Sequence, residues 1–233
     1  MTISILTLFP DMFIGPFDYS IVKRAKEKEL VTINIVNIRD VATDKYKSVD
    51  DHPYGGGVGM ILRVDIIDRA LQQAISKKQK VTTKTILLDP RGTTFTQKKA
   101  REFSRLDHLI LVCGHYEGVD ERVRSIVDES ISIGDYVLTG GELPAMVMTD
   151  TIVRLLPGVL KKKDATVSES FSIHPPSSIF HPPVLEYPQY TRPEEYKGMR
   201  VPEVLLSGDH KKIDVWKKNN TTERTDYASR RKS

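Results

Sequence analysis

The sequence predicts an α/β fold in which an open, mainly parallel β-sheet carries helices on its faces. Two observations lead to this prediction. Short apolar runs rich in β-branched residues alternate with helical patterns along the first two thirds of the chain, and glycine-containing loops follow two of the predicted strands. Ligands of such sheets bind beyond the carboxyl ends of the strands, which is where both loops fall.

Five strands and five helices are predicted in this part of the chain. The strands are short runs in which β-branched and other apolar residues dominate, at Thr2–Leu8, Val31–Asn37, Lys84–Leu88, His108–Cys113 and Ser130–Ile133. Helices are expected at Tyr19–Glu29, Val64–Lys78, Gln97–Ser104, Val119–Val127 and Pro144–Leu155. Pro144 suits the first turn of its helix, because that turn does not need the missing N–H.

The chain is predicted to divide into three parts. Residues 1-160 form the α/β domain, residues 161-193 form a linker punctuated by prolines, and residues 194-233 form a small helical C-terminal domain. Short helices are expected in the last part at Pro202–Leu206 and His210–Lys218.

Composition indicates a globular protein of a reducing compartment. Of the 233 residues, 39% are hydrophobic and 28% charged. No stretch approaches the ~20 apolar residues that a membrane-spanning helix needs. The single cysteine, Cys113, excludes an intrachain disulfide framework, so the cytoplasm is the expected location. A net charge of +4 is compatible with a nucleic-acid partner but is shared by many proteins that bind none.

The two glycine-containing loops predict a ligand site. The first lies in Leu111–Gly118, and the second lies in Ile131–Met146, which re-enters a helix through Pro144. A glycine backbone can approach a ligand closely, so the pair favours one cradle of the kind that holds nucleotides and nucleosides. From the residues alone, the prediction stops at a basic, cytoplasmic α/β enzyme that binds a nucleotide or nucleoside.

A third glycine-rich segment, Asp50–Gly59, leaves two interpretations open. Met60 stands where a dinucleotide-binding fingerprint would have glycine, and the chain contains no P-loop motif. The segment is either a flexible hairpin-like loop or a surface against which a planar ligand or RNA backbone lies. The histidines lack zinc-ligand spacing, so no metal site is predicted, and Cys113 is expected to be a buried small hydrophobe.

Two charged residues further along the chain, Arg154 and Glu169, can be interpreted as structural or as functional residues. Arg154 is either an amphipathic residue stabilised by the dipole at its helix end or a cation directed into the cradle. Glu169 lies in the linker, where an acidic residue is usually solvated.

Motifs spread along the chain identify a family by their shared order and spacing, although no short motif among them would do so alone. They are Thr7–Pro10, Asp50–Met60, Cys113–Gly118, Ser132–Met146, Arg154–Leu160, Tyr190–Pro193 and Val201–Gly208. Together they resemble the bacterial tRNA (guanine-N1)-methyltransferase family, TrmD, over nearly the whole chain.

The resemblance implies the fold of the SPOUT methyltransferases, an α/β sheet whose C-terminal part is tied in a deep trefoil knot. It implies an obligate homodimer with active sites at the interface, S-adenosylmethionine (SAM) as methyl donor and tRNA as acceptor. The methylated atom is then N1 of the guanosine immediately 3′ of the anticodon, at position 37, in tRNAs with a preceding guanosine. This modification maintains the reading frame. Members of the family need Mg²⁺, for which the sequence offers no obvious site.

The resemblance also assigns residues to roles. It places the following in the SAM pocket: Leu87, Leu88, Pro90, Gly114, Tyr116, Glu117, Gly118, Ile133, Gly134, Asp135, Tyr136, Val137, Leu138, Gly140, Gly141 and Pro144. It places another set on the tRNA surface, together with the C-terminal domain: Asp50, His52, Gly55, Gly56, Gly57, Gly59, His115 and Arg192.

For catalysis, the resemblance implies that Glu169 removes the N1 proton and that Arg154 stabilises the charge that spreads onto O6. Three departures accompany this transfer. Glu169 replaces an aspartate, the linker carries extra residues that include Ile173–Pro183, and His115 occupies a place often held by arginine.

Two other functions are compatible with parts of the sequence. A SPOUT enzyme that methylates a ribose 2′-hydroxyl would share the fold, but the Asp50–Met60 loop and the Tyr190–Gly208 tail fit the guanine-N1 family. A non-catalytic RNA-binding protein would have lost SAM binding, against which the intact glycine loops, Arg154 and Glu169 argue.

Overall fold

The computed structural model of the protein describes residues 1–75, 81–161, 166, 169–171 and 184–223. The chain separates into two compact units, Met1–Lys161 and Lys162–Ser233. The division into three parts stays a prediction, because much of the expected linker, including Ile173–Pro183, lies outside the described residues.

The first unit alternates strands and helices, as the sequence predicts. Its strands are β1 (Thr2–Thr7), β2 (Thr32–Asn37), β3 (Asp50–Asp51), β4 (Ile61–Leu62), β5 (Thr83–Thr94), β6 (His108–Cys113) and β7 (Glu129–Ser132). Its α-helices are α1 (Ser20–Glu27), α2 (Val64–Ala74), α3 (Gln97–Phe103) and α4 (Glu142–Val153). Three 3-10 helices, at Pro10–Phe13, Ile38–Val41 and Glu121–Ser125, connect them.

Five of these strands form one sheet in the order β2-β1-β6-β5-β7, and all four neighbouring pairs are parallel. The register places Ile5 beside Ile35 on one side and beside Leu111 on the other. The predicted α/β class with a mainly parallel sheet is therefore confirmed. Because β6, β5 and β7 are neighbours, their carboxyl ends lie side by side at one edge of the sheet.

Two apolar layers sandwich the sheet. On one face, buried side chains such as Ile5 and Leu111 pack with α1, α3 and α4, and on the other Leu6 and Ile110 pack with α2. Successive residues of a strand point to opposite faces, so a central parallel strand must be apolar on both. Strand β6 is buried along its whole length for this reason. Each fully buried Leu or Ile contributes about 1.5–3 kcal/mol relative to an exposed one.

The helix predicted at Val119–Val127 is wrong. Only the 3-10 helix Glu121–Ser125 forms there, with Val123 as its buried anchor. The segment is tied at both ends, since the Asp120 N–H donates to the Leu62 carbonyl and the Asp128 carboxylate accepts from the Thr85 N–H. These ties, together with the buried Val123, fix the path of the chain over residues 120–128 and override its local helical pattern.

Strand β5 differs from its prediction in the other direction. It continues from the expected end at Leu88 to Thr94, but its pairing with β7 is interrupted between Leu88 and Thr93. Residues 89–92 leave the regular ladder and rejoin it. This excursion lies at the carboxyl edge where the glycine loops also emerge.

The described residues of the second unit form helices α5 (Glu203–Leu206) and α6 (His210–Asn220), at the two predicted places, and four short strands. The strands are β8 (Val184–Leu185), β9 (Glu195–Tyr196), β10 (Met199–Arg200) and β11 (Thr222–Glu223). Helix α6 begins where the Asp209 carboxylate accepts the backbone N–H groups of Lys211 and Lys212. No helix in the described part of the chain is long and apolar enough to cross a membrane.

Candidate ligand-binding site

A cavity of about 560 Å³ opens at the carboxyl ends of β5, β6 and β7. Its volume falls within the range of roughly 300–1,000 Å³ that small-molecule sites occupy. Three chain segments form most of its wall: residues 87–91, residues 114–121 and residues 131–141. Ile61 from β4 and Pro144 from the first turn of α4 complete it.

The loop after β6 is held against the loop after β7 by backbone contacts. The Gly141 N–H donates to the Gly114 carbonyl at 2.8 Å, and His115 forms an antiparallel bridge with Gly140. A Cβ atom on Gly141 would lie 2.7 Å from the Cα of Cys113, so only glycine fits at this crossing. The two loops therefore form one rigid cradle, as the sequence predicts.

Within the second loop, Gly134 makes a tight turn. Its φ is +155°, and the Ser132 hydroxyl both donates to the Gly134 carbonyl and accepts from the Gly134 N–H. The turn leaves Tyr136, Val137 and Leu138 exposed beside the cavity, with 84% of Val137 accessible. Exposed apolar side chains around a cavity of this size provide walls that a partly apolar ligand can cover.

The excursion of β5 forms the third wall and is held by charges. The Asp89 carboxylate accepts from the backbone N–H and the guanidinium of Arg91, and lies 2.8 Å from Nη2 of Arg124. Burial by itself raises the pKa of Asp89, but the hydrogen bonds from Arg91 and the charge of Arg124 outweigh it, so the pKa lies below its ordinary value.

A buried carboxylate lies behind the cradle. Glu142, in the first turn of α4, is 1% exposed and accepts a hydrogen bond of 2.8 Å from the Thr7 hydroxyl. Its other oxygen lies 3.6 Å from Nδ1 of His115. Burial, and to a smaller extent the Glu142 charge, raises the pKa of the Cys113 thiol well above its ordinary value. The expectation that Cys113 is a buried small hydrophobe is confirmed.

The structure brings together the residues that the resemblance places in the SAM pocket, with one exception. All of them line the cavity except Asp135, whose side chain is exposed on the loop after β7. His115, expected on the tRNA surface, also lines the cavity. The cavity further includes residues that sequence reasoning missed: Ile61, Asp89, Arg91, Val119, Glu121, Ile131, Ser132 and Thr139. Asp89 and Arg91 flank the predicted Pro90, and this adjacency was the available signal.

The segment Asp50–Gly59 belongs to a hairpin, in which β3 pairs with β4 in antiparallel orientation. Asp50 is half-buried in β3 and His52 is exposed in the loop that follows. Gly55, Gly56, Gly57 and Gly59 all have positive φ. A Cβ on Gly59 would lie 2.6 Å from Cγ of Glu117, so the loop reaches the rim of the cavity. The hairpin form is confirmed, while a role in RNA binding stays a prediction.

The two expected catalytic residues belong to different units. Arg154 is half-buried at the C-cap of α4 in the first unit, where its N–H donates to the Asp150 carbonyl. Glu169 is half-buried in a bend of the second unit, which also carries the exposed Arg192. Among the residues that the structure describes, no cluster of three His, Cys, Asp or Glu side chains could hold a metal ion.

Comparison with known proteins identifies the family. The profile of tRNA (Guanine-1)-methyltransferase TrmD matches residues 1–232. The tRNA (guanine-N(1)-)-methyltransferase of Carboxydothermus hydrogenoformans is 54% identical over 222 residues, which cover 95% of this chain and 83% of that protein. The protein of the same name from Bacillus cereus strain AH820 is 52% identical over 226 residues, which cover 97% of this chain and 88% of that one. This chain therefore belongs to the TrmD family of tRNA (guanine-N1)-methyltransferases.

Proposed function

We propose that this protein transfers a methyl group from SAM to N1 of the guanosine at position 37 of tRNA, immediately 3′ of the anticodon, and so helps to maintain the reading frame. The observation that carries the proposal is that the family motifs Cys113–Gly118 and Ser132–Met146 converge on one cavity. The relatives, more than half identical over nearly the whole chain, favour guanine-N1 methylation over ribose methylation.

The residues around the cavity fit SAM. The crossing of the two glycine loops presents backbone groups of Gly114, Gly140 and Gly141, which can read the edge of an adenine without charged side chains. Tyr136 and Leu138 supply exposed apolar surface for the adenosine and the methionine chain. When bound, SAM supplies an electrophilic methyl group on a sulfonium.

The chain supplies the proton transfer and the charge stabilisation. Guanine N1 carries a proton and is a poor nucleophile until that proton leaves, so a carboxylate must accept it. We assign this role to Glu169, which is one methylene longer than aspartate but has the same chemistry. Negative charge then spreads onto O6, where the guanidinium of Arg154 stabilises it. The remaining requirement is alignment of the sulfur, the methyl carbon and N1.

A homodimer is part of this proposal, and the surface of α4 supports it. Ala145, Met148 and Ile152 are buried in the core of the first unit, yet Leu143 and Val147 on the same helix are 48% and 46% exposed. Leu143 and Val147 lie one turn apart and form an exposed apolar patch beside the polar Asp150, and such a patch is typical of an interaction surface. We infer that a second copy covers this face and that it supplies Glu169 to the SAM bound by its partner.

The trefoil knot is likewise a proposal. After β7 the chain returns to cross β6 at its end, where Gly141 and Cys113 approach so closely that no side chain fits between them. A crossing of this tightness supports a threaded chain, although threading is rare among proteins.

The tRNA is proposed to contact the Asp50–Gly59 loop and the second unit. In the second unit, Arg192 and the lysines of α6, Lys211, Lys212, Lys217 and Lys218, offer positive charge for phosphates. The target guanine must leave its stack to reach the cavity. The three-part domain division, the cytoplasmic location and a need for Mg²⁺ complete the proposal, with no residues assigned to the metal.

The decisive experiment measures methyl transfer from labelled SAM to a tRNA transcript that has guanosines at positions 36 and 37. Wild type and Glu169→Ala are run side by side, and the modified nucleoside is identified. We expect N1-methylguanosine from wild type and almost none from the variant. A transcript with adenosine at position 37 is the control. Another nucleoside as product, or no SAM binding by wild type, would overturn the proposed function, whereas robust product from Glu169→Ala would move the base elsewhere.

A further inference from the structure

Four side chains form a closed ring of ion pairs at the edge of the cavity. Asp89 pairs with Arg91 and Arg124, at 3.1 and 2.8 Å, and Glu121 pairs with the same two arginines, at 3.1 Å each. Two positive and two negative charges alternate, so the ring is neutral. Asp89, Arg91 and Glu121 line the cavity, and Arg124 holds the ring without lining it.

Arg124 ties three segments together. Its Nη2 lies beside Asp89 on the β5 excursion, its Nε lies beside Glu121 on the 3-10 helix, and its Nη1 donates to the Ser130 hydroxyl on β7 at 2.9 Å. The side chain of Arg124 is 25% exposed and that of Asp89 is 9% exposed, so water screens this pair less than it screens Arg91 and Glu121. The guanidinium donates a hydrogen bond from Nη1 to Ser130, while Nη2 and Nε lie within ion-pair distance of Asp89 and Glu121. Its three nitrogens lie at fixed, separate positions in one plane, whereas a lysine has one nitrogen at the end of a flexible stem.

The excursion beside Arg124 lies outside the regular pairing of the sheet. Between Leu88 and Thr93 the pairing with β7 is interrupted, so the segment 89–91 lacks the regular ladder of a strand. At its C-terminal end the segment packs closely on β7 through Gly92, where a Cβ would lie 2.5 Å from the backbone nitrogen of Ile131. The position of the cavity wall therefore depends on the side chain of Asp89 and on the cation that fixes it.

We propose that Arg124 is a positioning residue, which holds Asp89 and the wall 89–91 in the shape that receives the methyl donor. It also keeps the Asp89 charge turned toward the two arginines instead of the cavity. This inference rests on the proposed function, since it takes SAM as the occupant. It assigns Arg124 to binding of the donor and not to the chemical step.

The test is calorimetric titration of SAM into wild type and four variants: Arg124→Ala, Arg124→Lys, Asp89→Asn, and the double variant that combines Arg124→Ala with Asp89→Asn. We expect Arg124→Ala to raise the Kd for SAM roughly tenfold or more, because a wall displaced by about an ångström loses its contacts. Arg124→Lys should not restore the affinity. The variant that combines Arg124→Ala with Asp89→Asn should lose less affinity than the sum of the two single losses, since both changes remove the contact between Asp89 and Arg124. The value of kcat at saturating SAM should stay within about threefold of wild type.

Arg69→Ala is the matched control. Arg69 is also a partly exposed arginine that joins a carboxylate, Asp65, to another segment through the Val41 carbonyl, but it does not line the cavity. The Kd of Arg69→Ala for SAM should stay within about twofold of the wild-type value, even where its Tm falls as much as that of Arg124→Ala. An unchanged Kd in Arg124→Ala, an equal rise in Arg69→Ala, or additive effects in the double variant would overturn the inference. Absence of SAM binding by wild type would instead overturn the proposed function.

Discussion

The walls of the cavity are held in two different ways. The loops after β6 and β7 are locked by backbone hydrogen bonds and by the absence of a side chain at Gly141, whereas residues 89–91 of β5, which precede the close approach at Gly92, are held by ion pairs to Asp89. Steric locking depends on atoms that must not be present and is insensitive to pH and salt. Ion pairs depend on charges that must be present, and lower pH or added salt can weaken them gradually.

This contrast has a consequence for how each wall tolerates change. A methyl group at the backbone crossing forces two strands of chain apart, and nothing nearby can yield. When one charge of the ring is lost, the remaining side chains can rearrange, and water can solvate the charge that has lost its partner. Steric changes are therefore expected to have larger effects than changes of charge.

The largest effect is expected from Gly141→Ala. Its Cβ would lie 2.7 Å from the Cα of Cys113, so the crossing must open, at a cost of about 3 kcal/mol or more in the free energy of unfolding, with loss of SAM binding. Chemical denaturation and SAM titration measure both. Gly114→Ala is the control for stability, since its Cβ would meet nothing closer than 3.6 Å. Equal stability of the two variants would contradict steric locking.

The next effect separates chemistry from binding. Arg154→Ala should lower kcat by about 10²–10³, because the charge on O6 loses its stabilising cation, while the Kd for SAM stays within about twofold. Single-turnover methylation and SAM titration check this prediction. A variant with normal turnover would remove Arg154 from the catalytic role, and a large loss of SAM affinity would place it in the cofactor wall instead.

The electrostatic wall should respond to pH with a defined sign. The pKa of Asp89 is lower in the folded protein than its ordinary value of 3.8, so its ion pairs stabilise the fold above that value. The contribution is lost as the pH falls through the folded pKa. The difference in unfolding free energy between wild type and Asp89→Asn should therefore favour wild type at neutral pH and vanish toward acid pH. A difference that is constant over this range would show that the charge of Asp89 is irrelevant.

The smallest effect is expected at the exposed side of the ring. Glu121→Gln should change the free energy of unfolding by less than about 1 kcal/mol, because exposed ion pairs are weak. Its partner Arg91 is 62% exposed, so water screens their interaction. Urea denaturation of wild type and variant at low and high salt measures the change. A loss as large as that of Asp89→Asn at neutral pH would mean that the ring acts as one unit.

How far the sequence predicts this site depends on the range of the interactions that form it. The glycine loops were predictable, because strand ends, glycines and the proline at 144 are local signals. The wall 89–91 was only partly predictable: Pro90 was expected there, but its anchors Glu121 and Arg124 lie about thirty residues away and no periodicity links them to β5. The helix expected at Val119–Val127 failed for a related reason, since ties to Leu62 and Thr85 override its local pattern.

The sequence by itself determined the parallel α/β class, the order of strands and helices, the buried state of Cys113 and, through shared motifs, the family. These follow from local apolar patterns and from residue order, which need no coordinates. Only the tertiary structure decided that the end of β6 and Gly141 share one crossing, that Glu142 is buried against Thr7, and that a ring of four charges supports the β5 wall. Each of these arises between residues distant in the chain, where the physical cause is the proximity that folding creates.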